Sequence, residues 1–474
     1  MSAASATASA TASALSGFPA PPASPGSCAS SVAAGGTPLS VLGAGVRVPL
    51  AGGGGAEYAA LDCAAGAPVL RQVWDAVAAY APSCSSVHRG AGRLSRLSTE
   101  LYERCRATVA AFLGCRPGDQ VIFTRSTTDA LNLLAAALPA GTRVFVFETE
   151  HHAALLPWRR AGTRWLPAPR SPEEAVQTLA EALAAAPDGP RLVCVTGASN
   201  VTGELWPVRE LAAVAHRHGA RIVLDAAQLA PHRPVDIAAL GVDWAAFSGH
   251  KLYAPFGAGV LAGRGDWLAA AEPYLAGGGA SRTVARDADG RPAVEWVTGA
   301  ARHEAGSPNV IGALAVAVAC ETLAAAGHEA LAAYEERLLL RLCEGLSELP
   351  AVRPLSLFGP DAARIAVVSF TVSGWDGGDF AAALSDRYGI GVRAGLFCAH
   401  PLVRALLDGA GRQPDTGCGG PLSAVRVSFG AATPADHIDR LLRAVAELTG
   451  RHRAPGTPPV PSVRPWDLPE QEHS

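Results

Sequence analysis

Short, continuously apolar runs alternate with helix-spaced segments through the middle of this chain, and no other feature restricts its fold as much. Val121–Thr124, Val144–Phe147, Arg191–Thr196, Arg221–Asp225, Asp243–Phe247 and Gly259–Ala262 each read as a strand. Thr127–Leu138 and Val208–His218 carry helical spacing between them. Strands without polar alternation must be covered on both faces. The order therefore predicts a mostly parallel α/β sheet with helices on either side. Ligands of such sheets bind outside the carboxyl ends of the strands, so the residues just after each run are where chemistry is expected.

The pattern changes further on. Ala313–Gly327 and Glu329–Leu349 are helical by spacing, and the second is long enough to connect two domains. Strand-like Ile365–Phe370 and Val425–Phe429 each precede a helix, Asp379–Tyr388 and Thr433–Leu448, the latter with Asp436 at the capping-box position. A smaller C-terminal α+β domain over 336–450 is expected beside a large domain over 57–335, with part of 57–95 packing on the small one. Residues 1–46 contain no Asp, Glu, Lys or Arg, and 1–50 read as an Ala/Ser/Pro-rich tail. Residues 451–474, with six prolines, read as a second tail. The start lacks the basic segment and compact apolar run of a secretory signal, so a cytoplasmic location is expected.

Composition narrows the function. Of 474 residues, 49% are apolar and 17% charged, enough for a large buried core. A net charge of −3 offers no basic excess for a phosphate backbone, so nucleic acid is not the expected partner. No apolar run reaches the 18 or so residues of a membrane span. The ten cysteines form no Cys-x-x-Cys pair and match no zinc spacing, and a chain of this length needs no disulfide framework. They suit a reducing cytosol, most of them as small apolar residues. A Gly-x-x-x-x-Gly-Lys-Ser/Thr nucleotide loop is absent from the sequence.

Lysine plus arginine total 39, yet Lys251 is the only lysine. Arginine cannot be deprotonated at working pH and cannot serve as an amine nucleophile; lysine can once its pKa is lowered. Lys251 follows a strand in Ser248-Gly-His-Lys251. Asp225 ends another apolar strand, with Gln228 three residues on. A buried strand-end aspartate is costly unless it meets a cation or a protonated ring nitrogen. Pyridoxal phosphate supplies such a nitrogen and is held through a lysine, which accounts for both residues. Its phosphate needs donors. Thr127 and Thr128 open a helix after a strand, and Ser248 and His250 add more. His151, in Glu150-His-His152, offers a ring platform.

Eight ordered motifs carry a family resemblance over nearly all of 57–450. They are Val87-His-Arg-Gly90, Arg125-Ser-Thr-Thr-Asp-Ala-Leu-Asn132, Glu150-His-His-Ala153 and Ser199-Asn-Val-Thr-Gly203, then Asp225-Ala-Ala-Gln228, Ser248-Gly-His-Lys251, Glu304-Ala-Gly-Ser-Pro-Asn309 and Arg393-Ala-Gly-Leu-Phe-Cys-Ala399. The sequence resembles the class V enzymes of the pyridoxal-phosphate fold-type I group, and within it the cysteine desulfurase and selenocysteine lyase branch. The resemblance implies an α/β fold with a mostly parallel seven-stranded sheet in the large domain, and a homodimer.

The resemblance also implies roles. Lys251 would link to the cofactor and move the Cα proton. Asp225 would meet the pyridine nitrogen, Gln228 the ring hydroxyl, and His151 would stack on the ring. Thr128, Ser248 and His250 would hold the phosphate, with Ser307 reaching it from the partner subunit. Asn200 and Arg426 would hold the substrate carboxylate, and His88 and Arg393 would line the substrate pocket. Cys398 matches the nucleophilic cysteine, so L-cysteine would yield L-alanine and a persulfide on Cys398, with a sulfur-acceptor protein as a possible partner. The alternative is a class V aminotransferase, a carbon–sulfur lyase or an epimerase of specialised metabolism. Two departures stand out. Leu396 and Phe397 occupy the places of two histidines, and Pro401–Pro421 suggests an extra loop near the site.

Overall fold

In the computed structural model, residues 37–159, 162–409 and 423–450 are described. The large sheet has seven strands: β1 Gln120–Thr124, β2 Arg143–Phe147, β3 Gly162–Leu166, β4 Arg191–Thr196, β5 Arg221–Asp225, β6 Trp244–Ser248 and β7 Gly259–Gly263. Their order across the sheet is β1-β7-β6-β5-β4-β2-β3. Strands β3, β2, β4, β5 and β6 pair in parallel, and only β7 runs against its two neighbours. The six apolar runs are thus the central strands and one edge. Strand β3, Gly-Thr-Arg-Trp-Leu, gives no apolar run because it forms the other edge and buries Leu166 alone.

Helix Val310–Ala326 is apolar all round, and it packs between Arg71–Tyr80 and Arg93–Phe112 inside the protein. It ends at Gly327, whose φ of 81° lies in the left-handed region, and His328–Ser347 continues in a new direction. Among the described residues no single helix is long and apolar enough to cross a membrane.

A second, antiparallel sheet follows: β8 Val352–Pro354, β9 Val367–Val372, β10 Arg393–Gly395 and β11 Ala424–Ser428, in the order β8-β9-β11-β10. Helices Gly377–Tyr388 and Ala435–Gly450 accompany it. The chain near residue 60 joins the two sheets. Ala59–Ala60 pairs in parallel with Ile390–Gly391, and the Cys63 N–H donates to Ser428 O at 3.1 Å. A few residues later the Ala67 N–H donates to His250 O at 2.9 Å, beside β6.

Three expectations need correction. Part of the expected N-terminal tail is packed: Leu39 is buried, Val41 bridges Leu70, and Arg47–Pro49 pairs with Gly55–Glu57. The last helix starts at Ala435, two residues later than expected, and the Thr433 hydroxyl before it accepts the Gly430 N–H at 3.2 Å. The expected loop over Pro401–Pro421 opens as a helix, His400–Gly409, while 410–422 lie outside the described residues, as do 1–36 and 451–474.

Candidate active site

Five strands of the large sheet deliver side chains to one cavity of about 200 Å³ at their carboxyl edge. Thr127 follows β1, His151 follows β2, and Asn200 follows β4. Asp225 ends β5, with Gln228 one turn later, and Ser248, His250 and Lys251 come from the end of β6. A parallel sheet makes these distant sequence positions neighbours because every carboxyl end lies on the same side.

The cradle between β1 and β6 is tight. The Thr127 N–H donates to Ser248 Oγ at 2.7 Å, and the two hydroxyls are 2.7 Å apart. This loop sits directly on Gly259 of β7, where a Cβ would lie 2.6 Å from the Ser126 backbone. Any side chain at 259 would push the loop away from Ser248. Ser126 caps helix Thr127–Ala136 through Asp129 N, and Arg125 holds the Asp129 carboxylate at 2.9 Å. The result is a helix start ringed by hydroxyls, suited to a phosphate.

Beyond the cradle lie the amine, the carboxylate and the ring. Burial pushes the Lys251 amine down to about 8, against the opposing pull of Asp225. Asp225 is buried; burial raises its carboxyl, while the Ala227 N–H (2.9 Å) and Lys251 pull it back. Burial, then the Lys251 charge, pushes His151 down to about 3, so its imidazole is neutral. The Ala153 N–H donates to His151 Nδ1 at 3.0 Å, which places the ring proton on Nε2. Gln228 donates one amide hydrogen to Ala64 O at 2.9 Å and keeps a second.

This donor set fits pyridoxal phosphate. A buried carboxylate is available to a pyridinium nitrogen, a neutral imidazole has a face for the ring, and a depressed amine stands beside a hydroxyl cradle. Glu150 lies underneath. It is fully buried, its Oε1 accepts the Thr196 N–H at 3.0 Å, and burial raises its carboxyl well above the usual range.

The small sheet closes the other side. Arg393 and Arg426 face each other across β10 and β11. Arg426 is buried and donates to Asp62 Oδ1 at 2.8 Å and to Asn200 O at 3.1 Å, while its Nε finds no acceptor. Arg393 lies 3.6 Å from Asp62 Oδ2. Cys398 reaches the same cavity from the loop after β10, and it also lines a second, outer cavity of about 490 Å³. Its loop is strained: Phe397 and Cys398 have φ of 50° and 53°. Asn200 Nδ2 donates to Phe397 O, and the His152 N–H donates to Cys398 O, both at 2.8 Å. The Phe397 ring is buried among Val201, Leu355, Leu402 and Val403, with the Arg426 guanidinium 5.1 Å from its centre.

Twelve of the fourteen candidate residues therefore line one cavity: Thr127, Thr128, His151, Asn200, Asp225 and Gln228 from the first strands, and Ser248, His250, Lys251, Arg393, Cys398 and Arg426 from the later ones. His88 does not. Its ring packs edge-on to Tyr102, 3.4 Å from Glu103, on a left-handed backbone with φ of 67°. Ser307 is exposed and also lies outside its own chain's cavity. The Thr127 hydroxyl is turned to Ser248, so it orders the cradle. Asp62 went unseen in the sequence because no motif surrounds it; its place depends on the pairing of residues 59–63 with the small sheet.

A lysine amine and a buried carboxylate at the carboxyl edge of such a sheet define a pyridoxal-phosphate enzyme of the α/β type. The chain belongs to the aminotransferase class-V family, whose model matches residues 59–441. It is 37% identical over 360 residues to a cysteine desulfurase of Enterobacter sp. (strain 638), covering 74% of this chain and 86% of that one. Its structure resembles the cysteine desulfurase of Thermococcus onnurineus NA1 (TM-score 0.72, 32% identity, 83% of this chain and 95% of that one). It also resembles the cysteine desulfurase CsdA of Escherichia coli (TM-score 0.69, 30% identity, 82% and 94%).

Proposed function

We propose that this enzyme is a cysteine desulfurase that converts L-cysteine to L-alanine and leaves a persulfide on Cys398. One observation carries the reading: Cys398 lines the same cavity as Lys251, Asp225 and Arg426, on a loop held at two strained residues. A backbone at positive φ persists only where its surroundings impose it, and such sites cluster where chemistry is done.

Pyridoxal phosphate, when bound, supplies the electron sink for bonds broken at the substrate. Thr128, Ser248 and His250 would hold its phosphate, His151 would face its ring, Asp225 would meet its ring nitrogen, Gln228 its hydroxyl, and the Lys251 amine would anchor it. Arg426 is clamped by Asp62 and Asn200, so its guanidinium is oriented before the substrate carboxylate arrives. Arg393 adds a second positive charge beside it. Lys251, depressed towards neutrality by burial, moves a proton at the substrate Cα. The Cys398 thiolate then forms a bond to the substrate sulfur as that sulfur's bond to Cβ breaks. The carbon takes a proton, alanine leaves, and Cys398 keeps the extra sulfur.

Three further points belong to this reading. The enzyme acts as a homodimer, with exposed Ser307 reaching the partner's phosphate site. It works in the cytoplasm; among the described residues eight cysteines are free and none is paired. It passes the sulfur of Cys398 to an acceptor protein.

The test is to incubate the full-length enzyme with L-cysteine and follow alanine and the mass of the Cys398 peptide. One added sulfur on that peptide, lost in Cys398→Ser together with alanine formation, is the expected result. Alanine formation unchanged in Cys398→Ser would refute the persulfide route and favour carbon–sulfur lysis or transamination.

A further inference from the structure

Cys398 stands between two cavities, and they differ in what can exchange a proton. The inner one contains the lysine, the arginines and Asp225. The outer one is bounded by hydroxyl, amide and apolar groups, and by four titratable residues: Cys398 itself, His151, His152 and Arg159. The Arg159 guanidinium only donates hydrogen bonds and offers no acceptor for a proton. His151 has Nδ1 occupied by the Ala153 N–H and cannot take up a proton readily. Leu396 and Phe397, before the cysteine, carry no titratable group. His152 is the remaining base in the outer wall among the described residues.

Its surroundings suit that task. The His152 N–H donates to Cys398 O at 2.8 Å, which ties the histidine to the strained loop. The His400 ring stands edge-on to it, with centroids 4.4 Å apart, and the His400 N–H makes a long 3.5 Å bond to His152 Nε2. At that length the contact favours a ring proton on Nδ1 but holds the Nε2 lone pair only weakly, unlike the 3.0 Å bond to His151 Nδ1, so Nε2 can still take a proton while the edge-on packing keeps the ring in one orientation. Partial burial and the facing His400 both lower its pKa, so the base form is present at neutral pH.

We propose that His152, positioned by His400, is the general base for sulfur release, taking the proton of a thiol that attacks Cys398-bound sulfur from the outer cavity. This rests on the persulfide reading above. The incoming R–SH gives its proton to His152. The thiolate forms a bond to the outer sulfur of the persulfide, the bond between that sulfur and Cys398 breaks, and Cys398 leaves as a thiolate with the electron pair. R–S–SH departs, and His152 returns its proton to the solvent or to Cys398. No external oxidant or reductant is needed.

The experiment uses the full-length holoenzyme loaded at Cys398 in two ways: with L-cysteine, or with hydroxyethyl disulfide, which forms a mixed disulfide without any desulfuration; attack by mercaptoethanol on Cys398 Sγ then regenerates the same adduct, so only attack on the outer sulfur discharges it. Discharge by mercaptoethanol is followed across pH through the mass of the Cys398 peptide. In both arms His152→Gln is expected to slow discharge about tenfold or more below the pKa of mercaptoethanol and to remove the limb of the pH profile due to His152. His400→Gln is expected to displace that limb and slow discharge less. Retained cofactor absorbance establishes that each variant is folded. Discharge of the mixed disulfide at the parent rate and with the parent pH profile in His152→Gln overturns the proposal. Failure of L-cysteine to load Cys398 in the parent enzyme overturns the desulfurase reading alone, and the mixed-disulfide arm still decides the role of His152.

Discussion

Phe397→Ala should uncouple Cys398 from the active site without disturbing the cofactor. Two consecutive residues at positive φ cost about 1–3 kcal/mol each, about 2–6 together. The hydrogen bonds from Asn200 and His152 return about 0.5–1.5 kcal/mol each, not enough to hold the loop by themselves. The balance comes from the buried Phe397 ring, whose loss typically costs about 3–5 kcal/mol. The Arg426 contact adds about 0.5–2 kcal/mol. With the ring gone, the loop relaxes to ordinary backbone and Cys398 leaves the cavity. Because about 1.4 kcal/mol is a factor of ten, single-turnover loading of the Cys398 peptide with sulfur should fall at least tenfold. Cofactor absorbance should be unchanged, since the Thr127–Ser248 cradle and Lys251 are held at the ends of large-sheet strands and not by this loop. Phe397→Leu, which keeps the apolar fill, should lose much less. Loading in Phe397→Ala at the parent rate would refute the reasoning and show that backbone contacts alone fix the loop.

Covalent loading of pyridoxal phosphate onto the cofactor-free protein should accelerate with pH and level off above about 8, where the Lys251 amine becomes fully neutral; a stopped-flow pH series checks this, and Lys251→Arg should abolish loading. Glu150→Gln should leave thermal stability nearly unchanged, because burial already favours the uncharged carboxyl. Glu150→Ala strands the Thr196 N–H and should cost about 1–3 kcal/mol in a denaturant titration. Glu304→Ala breaks a bidentate pair with Arg106 (2.8 and 2.9 Å) and frees the Phe123 N–H, so it should destabilise by about 3–5 kcal/mol in the same assay.

The sequence by itself determined the large sheet and its reactive edge. Continuous apolar runs can be buried only in a two-sided sheet, and parallel strands put every carboxyl end on one side, so Asp225, Lys251, His151 and Asn200 had to converge. The lone lysine named the chemistry because arginine cannot replace a neutral amine. Edge strand β3 escaped because an exposed strand has no apolar signature. Asp62 escaped for another reason: its contact with Arg426 spans 364 residues and arises from the seam between the two sheets. Tertiary structure alone also withdrew His88 from the cavity, turned the Thr127 hydroxyl to Ser248, and brought His400 against His152 across 248 residues. Local pattern records which face of an element avoids water. It does not record which side chain on another element will meet it, because that depends on how two separately built sheets pack.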